Sequence, residues 1–77
     1  MSDDVVRRNE LRVRLFAMLL DRLLREPFPS TTFMNHIERS MIGPMRDIYV
    51  AALLDRIERD EFPSPDLLNR VVVLLER

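Results

Sequence analysis

The 77-residue chain has no cysteine, no tryptophan and no lysine, and only one glycine, one histidine and one tyrosine. The missing cysteine removes disulfides, thiolate catalysis and cysteine-based zinc or iron–sulfur sites together. A single glycine leaves no glycine-rich loop to cradle a phosphate. The lone His36 has no neighbouring carboxylates at ligand spacing, so it makes neither a metal site nor a proton relay. Ser30, Ser40 and Ser64 lack a second histidine to complete a nucleophilic triad. The longest apolar runs, Leu15 to Leu20 and Val71 to Leu75, fall far short of the roughly 20 residues that cross a bilayer. The acidic opening Ser2-Asp3-Asp4 does not read as a secretory signal. These absences predict a soluble, cytoplasmic, non-enzymatic protein with no metal, no cofactor and no small-molecule substrate.

All twelve cations are arginine, and against thirteen acidic residues the formal net charge is −1. Arginine suits forked contacts to carboxylate or phosphate, but codon bias in a GC-rich bacterial genome explains the pattern without invoking a function. A chain this short buries only roughly 60 % of its unfolded surface, so its core is thin and self-association would help it.

The dominant pattern is an internal repeat of 34 residues. Leu19-Leu20-Asp21-Arg22 and Phe28-Pro29-Ser30 recur as Leu53-Leu54-Asp55-Arg56 and Phe62-Pro63-Ser64. From Arg12 through Asn35, eleven of 24 positions are identical to the residue 34 further on. That period fits one helical hairpin per copy. It resembles the length of the tetratricopeptide unit, but that family's tryptophan, glycine and tyrosine positions are not reproduced, so the resemblance is one of length. The expected fold is all-α: one domain over residues 1–77, built of two duplicated αα-hairpins, with repeat 1 about 11–43 and repeat 2 about 45–77. It would form a small helical bundle that dimerisation would complete.

The five prolines and the glycine fall where four helices need punctuation. The first helix is expected from about Asp4 to Glu26, ending before Pro27. Ser30 suits the N-cap of a second that reaches about Met41. Gly43-Pro44 separates it from a third, with Pro44 at its first position and its end near Asp60. Ser64 caps the fourth, with Pro65 and Asp66 in its first turn. Val71 to Leu75 is β-branched enough to read as a strand, yet the matching stretch Ile37 to Met41 is helical in character, so helix is the expectation there too.

On a wheel of about 100° per residue, Val5, Val6, Val13, Phe16, Leu20 and Leu23 join Ala17, Leu19 and Leu24 in one apolar arc, the predicted core face of the first helix. A second stripe, Leu11, Leu15 and Met18, lies on the other side and recurs in the third helix as Met45, Tyr49 and Ala52, with Ile48 beside it. Copy two also has Val72, Val73 and Leu74 where copy one has Glu38, Arg39 and Ser40. Either the hairpins pack on each other through these stripes, or the stripes meet a partner or a second copy of the chain. The expected protein-interaction residues are Leu11, Leu15, Met18, Met45, Ile48, Tyr49, Val73 and Leu74.

The pairs Asp21–Arg25, Arg22–Glu26, Asp55–Arg59 and Arg56–Asp60 sit at i, i+4 and read as surface ion pairs. Phe28 and Phe62 are expected to plug the end of each hairpin. The loop from Asp55 fails as a calcium site, with Ile57 and Arg59 at ligand positions and Asp60 where glycine is required. Thr32, Asn35, His36 and Arg39 give the second helix a polar face like that of a recognition helix, with Arg7, Arg8, Arg12 and Arg14 available for phosphates. The pI near 5.8 and a mostly apolar counterpart in copy two argue against it. The leading expectation is an interaction or assembly module, a small helical adaptor or regulatory subunit that acts through the apolar stripe of the first and third helices and forms a homodimer; a small dimeric DNA-binding regulator is the alternative.

Overall fold

The computed structural model describes residues 3–76, and these form four α-helices with no strand among them. Helix α1 runs Asp3–Arg25, α2 Thr31–Ser40, α3 Met45–Arg59 and α4 Pro65–Glu76. Local chemistry sets each boundary. Asp3 and Asp4 in the first turn of α1, and Arg22 and Arg25 in the last, complement the helix dipole. The helix stops at Pro27, whose ring disfavours helical geometry in Glu26, although the Glu26 amide still donates to the Arg22 carbonyl at 3.0 Å.

Ser30 caps α2: its Oγ accepts from the Phe33 amide at 3.0 Å. The helix closes when Met41 turns extended. Gly43 then takes φ +48°, a left-handed conformation that glycine adopts without a Cβ penalty. Pro44 occupies the N-cap of α3, one residue before the expected first position and within the usual spread of helix ends. Ser64 repeats the role of Ser30, its Oγ accepting from the Asp66 amide at 3.2 Å. Val71 to Leu75 is helical. A single strand there would have no partner to hydrogen-bond.

The chain divides into two compact units, Met1–Met41 and Ile42–Arg77. In the first, α1 packs with α2; in the second, α3 packs with α4. The buried residues of the first pair are Phe16 and Leu23 from α1 and Met34 and Ile37 from α2. Of the apolar arc expected to be the core face of α1, only Phe16 and Leu23 are buried; Leu19 and Leu20 are half-buried, and Val5, Val6, Val13, Ala17 and Leu24 are exposed. Helix length explains the difference. α1 has 23 residues and α2 has 10, about 35 Å against about 15 Å at 1.5 Å per residue. The shorter helix cannot flank more than half of the longer one, and residues 3–15 are exposed throughout.

The second pair is better matched. α3 and α4 have 15 and 12 residues, about 22 and 18 Å. Tyr49, Val50 and Leu53 of α3 are buried, as are Leu67, Val71 and Leu74 of α4. Each such side chain stabilises the fold by about 1.5–3 kcal/mol. Two arginines are buried with them, Arg56 and Arg70.

Phe28 and Phe62 do not plug the helix pairs. They are 92 % and 87 % exposed, in the bends between α1 and α2 and between α3 and α4. Each stands directly before a proline and only three positions ahead of the next helix, so the ring is carried on restricted backbone outside both helices.

Candidate interaction surface

The contact residues expected on α1, Leu11, Leu15 and Met18, are 47 %, 42 % and 55 % exposed. They follow one another at i, i+4 and i+7, so they form one stripe on the helix. The same stripe in α3 is closed: Met45, Tyr49 and Ala52 are all buried, and Tyr49 has no exposed surface at all. Of the other expected contact residues, Ile48 and Val73 are exposed and Leu74 is buried. Met45, Tyr49 and Leu74 therefore belong to the interior rather than to a contact surface. Equivalent sequence has two fates here because α3 has a helix of nearly its own length to pack on and α1 does not. Ala52 in place of Met18 also shortens the side chain at one of the three positions.

Between α1 and α2 lies an open groove of about 390 Å³. Leu15 and Leu19 from α1 and Phe33 from α2 form its floor, and His36, Arg39 and Ser40 its rim. The Ser40 hydroxyl is already committed, donating to the Ile37 carbonyl at 3.0 Å. Among the described residues, no hydrogen bond or ion pair engages the side chain of His36 or Arg39, and both are exposed. Arg8 and Arg12 precede Leu15 by seven and three positions on the same helix, which puts them on the groove's side of α1. The groove thus offers an apolar floor with a cationic border.

Thr32, Asn35, His36 and Arg39, considered for nucleic acid, are all exposed on α2. They occupy an arc of roughly 100°, so the structure does bring them to one face. No group of three or more metal-ligating side chains is found among the described residues, and none of the described helices is long and apolar enough to cross a membrane.

The ion pairs divide by burial. Arg25 pairs with Asp21 in full solvent. The hydrogen bond to Asp21, and then its charge, hold the Arg25 guanidinium above its ordinary pKa. Arg56 Nε lies 3.7 Å from Asp60 Oδ2, a Coulombic contact too long for a hydrogen bond. Arg59, expected to pair with the Asp55 carboxylate, donates through Nε to the Asp55 main-chain carbonyl at 3.4 Å instead. The pair not foreseen is Arg70 Nε with Asp66 Oδ2 at 2.9 Å, in which the arginine is buried. Its signal was present: Asp66 and Arg70 stand at i, i+4 in the first turns of α4, but they fall outside the repeated Asp-Arg motif that drew the other pairs.

Two features escaped the sequence reading. The groove needs α1 and α2 side by side, and it draws on residues 15 to 40. The exposure of Phe28 and Phe62 contradicts the usual fate of phenylalanine. Compared with known protein families, curated proteins and solved structures, the chain matches none of them.

Proposed function

We propose that the chain is a non-enzymatic protein-interaction or assembly module, cytoplasmic and dimeric, made of two copies of one duplicated helix pair. The observation that carries this reading is the uncovered apolar surface of α1. Leu11, Leu15 and Met18 stand open on one side of a helix whose first thirteen residues are all exposed. Contiguous exposed apolar surface of this kind marks a contact site, because leaving it in water forfeits about 25 cal/mol per Å². The residue inventory supports the absence of catalysis: one histidine, no cysteine, and serines that cap helices.

Light scattering on the purified chain tests the reading. The wild type should show a mass above that of the monomer, and Leu11→Glu combined with Met18→Glu should reduce it while helical circular dichroism persists. Both side chains are already about half in water, so charge there does not attack the core. A wild-type mass equal to the monomer at every concentration would sink the assembly reading.

One observation favours nucleic acid instead, the exposed face of Thr32, Asn35, His36 and Arg39 on α2. That reading requires binding to random duplex at low salt which falls steeply as salt rises.

A further inference from the structure

The groove between α1 and α2 has an apolar floor and, on its rim, the guanidinium of Arg39 and the imidazole of His36, side chains that no other described residue engages. The matching ligand is an apolar side chain with carboxylates beside it. The chain itself carries one. Phe62 is 87 % exposed and follows Asp60 and Glu61 directly. Glu61 is exposed and has no ion pair among the described residues, while the Asp60 carboxylate lies at 3.7 Å from Arg56 Nε.

The repeat sharpens this match. The residues 34 positions after the groove lining are Tyr49, Leu53, Leu67, Arg70, Val73 and Leu74, and all but Val73 are buried, so the second unit has no corresponding open groove. Conversely, Phe28 has Pro27 before it where Phe62 has Glu61, so only one of the two exposed phenylalanines carries an adjacent acid. Each chain therefore has one receptor and one ligand. Two chains that exchange them satisfy both sites at once, the reciprocal contact of a symmetric dimer.

We infer that the Asp60-Glu61-Phe62 corner of one copy seats in the α1–α2 groove of a second copy, with the Phe62 ring on Leu15, Leu19 and Phe33 and the two carboxylates facing His36 and Arg39. This rests on the reading of the chain as a self-assembling module, and it names the surfaces that meet. An apolar floor disfavours a phosphate backbone as the occupant, since phosphates gain nothing from buried leucine and phenylalanine.

Sedimentation over a dilution series tests it. Phe62→Ser should weaken dimerisation by more than roughly tenfold, as expected for an aromatic anchor, and Phe28→Ser should leave it unchanged. Both rings are almost wholly in water within the chain, so neither change threatens folding. Arg39→Glu should also weaken the dimer, and Glu61→Arg introduced with it should restore part of the loss. A labelled peptide of residues 58–66 should bind the Phe62→Ser protein saturably and fail to bind when Arg39→Glu is added. Equal behaviour of the two phenylalanine variants, or no binding of the peptide, overturns the inference. If Leu11→Glu with Met18→Glu breaks the dimer and Phe62→Ser does not, this inference falls and the assembly reading stands. A wild-type chain that is monomeric throughout removes both. Peptide binding abolished equally by competing duplex DNA would assign the cationic rim to nucleic acid instead, overturning this inference.

Discussion

Leu15 and Tyr49 are the same position in the two copies of the repeat, and substituting alanine at each should have very different consequences. Tyr49 has no exposed surface. Removing its ring leaves a cavity in the middle of α3's buried face, and truncations of large buried aromatics cost about 3–5 kcal/mol. The whole chain has about 4–12 kcal/mol of stability available, at roughly 0.05–0.15 kcal/mol for each of its 77 residues. Tyr49→Ala therefore removes a large part of it. Leu15 is 42 % exposed and leaves no enclosed cavity, so Leu15→Ala should cost at most about 1 kcal/mol. Urea unfolding followed by circular dichroism reads both. With a slope near 1 kcal/mol/M for so small a chain, the midpoint should fall by roughly 3–5 M for Tyr49→Ala and by less than about 1 M for Leu15→Ala. Equal shifts would refute the asymmetry between the stripes. A large Leu15 shift that grows with protein concentration would report association through that face, whereas a large shift independent of concentration would show that Leu15 is core.

The charge pairs should separate in the same way. Asp66→Asn removes the charge that the buried Arg70 Nε donates to and should cost about 1–2 kcal/mol, less than a fully buried pair because Asp66 is itself 43 % exposed. Asp21→Asn breaks a pair that lies in solvent, and the urea midpoint should not move. Ser30→Ala deletes the side-chain acceptor for the Phe33 amide and should destabilise by about 1 kcal/mol, detectable as a lower midpoint; an unchanged midpoint would mean that the cap is replaced by water at no cost.

Much of the fold was legible because its determinants lie within a few residues of where they act. Pro27 ends α1 through a clash with its neighbour, Ser30 and Ser64 cap through hydroxyls two or three positions from the amides they serve, and Gly43 supplies the one positive φ. The candidate surface was legible only in part. The stripe of Leu11, Leu15 and Met18 follows from helical periodicity, and these residues are exposed. Met45 and Tyr49 share that periodicity and are closed. Phe28 and Phe62 looked like core by residue type, yet the prolines around them hold the backbone away from both helices.

By itself the sequence determined four helices, their ends and the faces each would present, since capping, proline sterics and the 3.6-residue period are local properties of the chain. The tertiary structure alone decided which apolar faces are covered. Burial depends on the length of the neighbouring helix, and a helix of 10 residues beside one of 23 leaves α1 open, where 12 residues beside 15 close the equivalent stripe of α3.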